Sequence, residues 1–402
     1  MSYDNLVIVL AVSAGVPFLL AVMPRVPLPG PVLEIVAGIV LGPAVLNVVQ
    51  PDAIVQALSI IGLSFLLFLA GLEIDFQQLR GPWARLIGMG LAGTLALAAT
   101  VGWGLHIAGL VESPLLIGTA LVATSLGLLV PILKDADAVD RPVGQLTIGG
   151  GSAGEISAVV LLSLFFSEHA SGPASRLLLL LGLACLVALV MVASMRAGRS
   201  MWLSGAVVKL ADTSAQVRVR LTMALIVGLS AVALHLGFEA ILGAFIAGAV
   251  LRLVDPDAER THPQFHVKLE GLGYGFLVPV FFVTSGIQFD VGALFADAET
   301  VLRVPMFLAA LLLVRGLPAL AYRSAGLSRA EIMASGLLQA TSLPVIVAAT
   351  TIGLKLDAIR PANAAALVAA GLLSVVVFPL TALPLLNRSR ASASSEPGKD
   401  PD

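Results

Sequence analysis

Apolar blocks long enough to cross a bilayer recur from one end of this sequence to the other. A spanning helix needs roughly 20 mostly apolar residues, fewer where protein shields it. Such runs lie near 6–22, 31–49, 54–73, 85–109, 115–133, 145–166, 175–196, 218–236, 239–254, 271–287, 301–321, 330–353 and 361–386. Lipid offers the backbone no hydrogen bonds, and unbroken apolar runs of this length are expected to satisfy it as helices. The pattern predicts an all-α membrane protein of about 13 transmembrane helices. Composition agrees, because only 12% of the 402 residues are charged, whereas a soluble domain needs about 25% to cover itself.

The remaining segments organise the chain. Residues 1–387 form the transmembrane domain. Residues 197–217, with Trp202, Lys209 and Asp212 among apolar neighbours, read as an interfacial linker helix between two halves. Residues 388–402 read as a short unstructured polar tail. With the N-terminus outside, the outer loops hold Arg176, Arg303, Lys355 and Arg360, Arg315 lies within a span, and the other 18 of the 23 Lys+Arg face inward. That asymmetry predicts a cytoplasmic C-terminus. No basic stretch precedes the first run, so it is expected to be a span rather than a cleaved leader. No segment is basic enough to bind nucleic acid, and the lone Cys185 reads as a small hydrophobe.

Three local patterns recur in order. Val36–Leu41 resembles Ile246–Leu251 at an offset of 210, Leu67–Asp75 resembles Phe282–Asp290 at 215, and Ala123-Thr124-Ser125-Leu126 recurs as Ala340-Thr341-Ser342-Leu343 at 217. The copies lie seven spans apart, so their membrane orientation is opposite. The expected repeats cover about 31–166 and 239–386. Inverted repeats suit a carrier, since exchanging the conformations of the two halves turns the site from one side to the other. Channels built this way remain an alternative. Gly127 and Pro131 follow the first Thr-Ser pair, and Pro344 the second. Such residues loosen a helix ladder, so two matched broken helices are expected at a midplane site. Thr124, Ser125, Thr341 and Ser342 would line an ion cavity there; the competing reading is helix packing eased by small residues.

Two ionisable residues lie well inside spans, Glu155 after Gly149-Gly150-Gly151-Ser152-Ala153-Gly154, and Arg315 before Gly316-Leu317-Pro318. A charge in a span costs several kcal/mol unless paired or wet. Burial disfavours the charged form of a carboxylate, so Glu155 is the candidate shared site for a proton and a hard cation, with Ser152 beside it. Arg315 stays protonated and cannot shuttle a proton; its expected role is electrostatic, and a structural Glu155–Arg315 ion pair is the alternative. Glu34 and Glu239 open related spans and could guide ions. Nothing resembles a metal-ligand cluster or a nucleophile–base pair, so no cofactor and no enzyme activity are expected.

Leu28-Pro29-Gly30-Pro31-Val32-Leu33-Glu34, Leu41-Gly42-Pro43, Phe68–Asp75, Ala240–Gly248 and Pro279–Gly286 carry a resemblance. Over about residues 5–386 the chain resembles bacterial members of the second monovalent cation:proton antiporter family. The resemblance implies the sodium/proton antiporter fold in the inner membrane, a homodimer, an elevator-like core, and crossed broken helices at Thr124–Pro131 and Thr341–Val347. It puts the ion-binding carboxylate on Glu155, where members usually have Asp, often after Asp or Asn, and the basic position, commonly Lys, on Arg315. Potassium-efflux relatives carry a nucleotide-binding domain, for which the segment after Arg388 is too short. One carboxylate holds one proton or one monovalent cation, so the expectation is electroneutral exchange of Na+ or K+ for H+. An organic-anion carrier using Arg315, or a gated channel or sensor, is the alternative.

Overall fold

The computed structural model describes residues 3–22, 29–74, 81–166, 216–236, 238–254 and 263–394, with isolated positions inside 76–79 and 178–192. All regular structure among them is helical. Besides a single turn at Val291–Leu294, the α-helices in chain order are α1 (Asp4–Val22), α2 (Gly30–Leu41), α3 (Ala53–Leu72), α4 (Ala84–Ile107), α5 (Pro114–Val122), α6 (Leu126–Asp135), α7 (Pro142–Phe165), α8 (Val217–His235), α9 (Ala240–Val254), α10 (Pro263–Leu272), α11 (Val278–Ile287), α12 (Ala298–Leu311), α13 (Arg329–Gln339), α14 (Pro344–Lys355) and α15 (Pro361–Ser394). A π-helical turn, Gly273–Leu277, joins α10 to α11. A π turn, Leu312–Gly316, and a 3-10 segment, Leu317–Ala325, follow α12.

Together they give ten helical stretches long and apolar enough to cross a membrane, plus the shorter apolar α2 and α9. All fall on expected runs. Of the run at 175–196 only isolated helical positions are described, and the linker expected at 197–217 lies outside the described residues up to 215. The last helix runs on to Ser394, into the expected tail. Helix starts follow local chemistry. Asp52 accepts from Ile54 and Val55 N–H at 3.0 and 2.9 Å, Ser113 caps α5 ahead of Pro114, and Ser328 with Glu331 forms a capping box on α13.

The chain divides into two compact units. One comprises Met1–Ile74 and Val159–Gly292. Within it α3 packs on α9 and α11, α2 on α11, and α8 on α9. Between lipid-immersed helices dispersion and close backbone approach replace the hydrophobic drive, and glycine permits that approach. A Cβ on Gly38 would strike the Val283 carbonyl, and one on Gly286 the Ile35 carbonyl; likewise Gly71 faces the Phe245 carbonyl and Gly248 the Phe68 carbonyl. The two crossings, α2 with α11 and α3 with α9, are therefore each built on a reciprocal glycine pair. Val9, Val49 and Val55 pack with Val280, Val283 and Ile287 beside them.

The other unit comprises Asp75–Ala158 and Ala293–Asp402. It contains α4 to α6, most of α7, and α12 to α15. Its apolar cluster joins Leu129 and Leu133 of α6, Leu146 of α7, Leu338 of α13 and Leu386 of α15. Arg141, before α7, pairs with Glu331 at 2.5 Å. A second charged group ties α12 and α15 to the α4–α5 turn. Asn363 donates to the Leu110 carbonyl and to Glu112, and Glu112 pairs with Arg360. Arg303 donates to Asn363 Oδ1 at 2.8 Å and Glu299 Oε1 at 2.6 Å. The sequence placed Arg303 in an outer loop. Asp297 caps α12 by accepting from Thr300 N–H, which starts the helix at Ala298 and puts Arg303 on a buried helical face.

Two outcomes follow from this packing. Gly248→Ala is expected to destabilise the protein by about 1–3 kcal/mol, the usual range for forcing atoms into a filled interior. Gly228→Ala, with open space around it, should leave Tm level or slightly higher. Equal losses in both variants, measured by melts in detergent, would contradict the crossing. For Glu112, burial alone would push the carboxyl up, but hydrogen bonds from Asn363 and Arg360 outweigh it and hold it below the usual carboxylate range. A lowered folded-state pKa gives stability that is present above the unfolded value, near 4.5, and lost as pH falls through the folded one. The Tm advantage over Glu112→Gln should therefore hold at neutral pH and shrink in acid.

Candidate ion-binding site at two crossed helix breaks

Both Thr-Ser patterns interrupt their helices. Residues 123–125 are non-helical between α5 and α6, and residues 341–343 between α13 and α14. The breaks touch, since Ser125 N–H donates to the Thr341 carbonyl at 2.9 Å. They are shorter than the resemblance implied. Pro344 opens α14, a position where no intrahelical donor is lost. Gly127 lies in the first turn of α6 and Pro131 in its interior. Neither breaks the helix, because the backbone has already left the helical path at Ala123; Pro131 removes one rung from a short helix that Leu129 and Leu133 anchor in the apolar cluster.

A helix break inside a membrane frees backbone groups that must find partners. On the second break, Ser374 of α15 serves both kinds. Its hydroxyl accepts from Ser342 N–H at 3.2 Å and lies 3.1 Å from the Ser342 carbonyl and 2.7 Å from that of Gly371. The Gln339 carbonyl, at the end of α13, accepts from Thr124 Oγ1 at 2.6 Å and Arg315 Nε at 3.3 Å. A cation at a helix C-terminus is also favoured by the helix dipole.

Arg315 is 1% exposed. It sits in the π turn after α12, where Pro318 cannot supply the regular N–H bond, so the ladder shifts register. Its guanidinium then spans four segments. Nη2 donates to Thr124 Oγ1 at 2.5 Å and to the Gly150 carbonyl at 2.9 Å, Nε to Thr124 Oγ1 at 2.9 Å, and Nη1 to Thr94 Oγ1 of α4 at 3.4 Å. The glycines of α7 make this fit. A Cβ on Gly154 would lie 2.6 Å from Arg315 Nη2, and one on Gly150 2.6 Å from Gln339 Nε2. Gln339 in turn donates to Tyr322 Oη at 3.0 Å.

Glu155 lies next to Gly154 on α7, 3% exposed, within electrostatic reach of Arg315. Ser152 and Ser342 are fully buried, and their hydroxyls have no hydrogen-bond partner among the described residues. Ser125 is 4% exposed at the crossing. Thr124 differs from expectation. Its oxygen is used up by two guanidinium donors and its own bond to Gln339 O, so it braces the break rather than offering lone pairs to a cavity. Thr341 Oγ1 donates back to the Leu337 carbonyl at 3.3 Å, which leaves its lone pairs free. Glu34 (α2) and half-buried Glu239, just before α9, belong to the other unit. The sequence reading missed Ser374, Gln339, Tyr322 and Thr94. Gln339 carried a signal, being the lone amide in an apolar run directly before the repeated motif.

Fold and site together define an all-helical, multi-pass membrane protein with two broken helices crossed beside a buried carboxylate and an arginine. A family model described as sodium/hydrogen exchanger, transmembrane, matches residues 8–388, and the chain belongs to that family. It is 30% identical over 394 residues to the putative Na(+)/H(+) antiporter YjbQ of Bacillus subtilis, covering 94% of this chain and 62% of that one. It is 26% identical over 366 residues to a Na(+)/H(+) antiporter of Enterococcus hirae, covering 89% and 91%. Over 268 residues it is 28% identical to the Na(+)/H(+)-K(+) antiporter GerN of Bacillus cereus, covering 64% and 65%. Its fold matches the sodium proton antiporter MjNhaP1 of Methanocaldococcus jannaschii with a TM-score of 0.65, at 16% identity over 97% of both chains.

Arg315→Lys should cost about 1.5–3 kcal/mol, the range for losing a hydrogen bond to a charged group, because one ammonium cannot reach Thr124, Gly150, Gln339 and Thr94 together. Melts against the exposed control Arg323→Lys check this; equal Tm values would remove the brace from the account.

Proposed function

We propose that this protein exchanges a monovalent cation, Na+ or K+, for H+, one for one, with Glu155 as the shared binding group. The observation that carries the reading is a buried carboxylate beside two crossed helix breaks, facing an arginine whose nitrogens are all bound within the protein. Burial makes a lone carboxylate charge costly, so the loaded site holds either the acid or the carboxylate with a cation. The step is balanced: a cation enters as Glu155 gives up its proton, and the reverse occurs on the other side. Both loaded forms carry the same charge, and Arg315 stays protonated throughout. Exchange is therefore electroneutral.

The partnerless hydroxyls of Ser152 and Ser342, with Ser125, are the best oxygen ligands to join Glu155 around the cation. Arg315 acts by holding Thr124, Gly150 and Gln339 in register. Its engagement leaves it poorly placed to grip a substrate carboxylate, which weighs against an organic-anion carrier. Selectivity between Na+ and K+ is left to cavity geometry, and relatives' names include both cations.

Support for inverted repeats comes from the glycine crossings. The repeat maps Gly38 onto Gly248 and Gly71 onto Gly286, which turns the α2–α11 pair into the α9–α3 pair. Both pairs exist, with matching carbonyl contacts. Elevator-type alternating access fits a unit whose breaks are bonded to each other and to Arg315, since the site then travels as one body. The loop charges favour thirteen spans, an outer N-terminus and a cytoplasmic C-terminus; a homodimer in a bacterial inner membrane completes the reading.

In proteoliposomes, Glu155→Gln should reduce cation-driven proton flux to background while keeping the wild-type Tm. Undiminished exchange in that variant would reject the shared site. Wild-type exchange should be insensitive to membrane potential; steep voltage dependence would reject one-for-one stoichiometry.

A further inference from the structure

Glu34 is buried and unused by the site above. It lies in α2 one helical turn before Gly38, is 6% exposed, and is flanked by buried Val32 and Ile35. Among the described residues no hydrogen bond or ion pair reaches its carboxyl group. The elements packed on α2 are α1 and α11. Helix α11 carries no titratable side chain, and α1 carries one, Asp4, in its first turn. No cationic side chain on these neighbours can neutralise Glu34.

A carboxylate in a membrane span persists when it is paired, wetted or neutral. Among the described residues pairing is absent, and backbone atoms close the α2–α11 crossing at Gly38 and Gly286 so tightly that they leave little room for water. The neutral acid is what remains. A bare cation would need several oxygen ligands, and the hydroxyl that α11 leaves without a partner is that of Thr284, too little for a dehydrated ion. Nor does packing demand a carboxylate. In the repeat proposed above, the position matching Glu34 is Ala244, fully buried and apolar.

We propose that Glu34 is a second proton-binding site, distinct from the exchange site and carried by the other unit. Its proton leaves when the α2–α11 contact admits water, and the resulting charge holds that contact open. The response of the protein to pH then depends on Glu34 as well as on Glu155. The argument from Ala244 rests on the inverted repeat; burial and the missing partner do not.

Infrared difference spectroscopy on protein in nanodiscs, stepped in pH in choline buffer free of Na+ and K+, tests this. The expected result is a protonated-carboxyl band that disappears as pH rises, is retained in Glu155→Gln, and is lost in Glu34→Gln. Glutamine mimics the neutral acid, so Glu34→Gln should keep its Tm; Glu34→Asp, which should shift the band, is the second variant. Identical titrating bands in wild type and Glu34→Gln would overturn the proposal. So would a Glu34 band in Glu155→Gln protein that vanishes on adding Na+ or K+ at fixed pH, since the site would then take cations. The Glu155→Gln background reads Glu34 whether or not Glu155 performs exchange.

Discussion

Two helical stretches long enough to cross a membrane are each interrupted partway along, and everything at the candidate site follows from how their freed backbone groups are satisfied. Lipid supplies neither donors nor acceptors. The breaks therefore bond to each other through Ser125 and Thr341, to α15 through Ser374, and to Arg315 through Thr124 and the Gln339 carbonyl. Arg315 suits this task because its fork reaches several acceptors at fixed angles, which a lysine cannot do. Its charge is also the local counterweight to Glu155. One residue thus fixes the geometry of the crossing and the electrostatics of the carboxylate beside it.

Small residues make that arrangement fit. At the position before Glu155, where the resemblance implies that members often have Asp or Asn, Gly154 lies against the guanidinium. A side chain at 154 and the present position of Arg315 exclude each other. In the other unit, glycine pairs at Gly38–Gly286 and Gly71–Gly248 do comparable work, bringing backbones into contact where side chains would hold them apart.

Much of the architecture was readable from the sequence, since a bilayer permits only helices and closed barrels, and long unbroken apolar runs mark the helices. Thr124 and Thr341 pointed to real breaks because Ser/Thr motifs recurred at matched positions. Pro131 misled, since proline in a short packed helix need not interrupt it, and the path had already turned at Ala123. Arg303 was misplaced because its helix begins a turn earlier than hydropathy indicates; Asp297 supplies the cap. Thr124 was read as an ion ligand, yet its oxygen is saturated by Arg315, a residue 191 positions away. Ser374 acts on Ser342 across 32 positions. Such partners share no local pattern, so single polar residues in apolar runs look like packing until the fold joins them.

The central claim is that one carboxylate carries either a proton or a cation. Calorimetric titration of purified protein with Na+ or K+, in buffers of different ionisation heat, reads the protons released per cation bound. The account predicts one proton per cation where Glu155 starts protonated, with affinity falling as pH falls, and no such release from Glu155→Gln. Cation binding without proton release at any pH, or release unchanged in that variant, would contradict it.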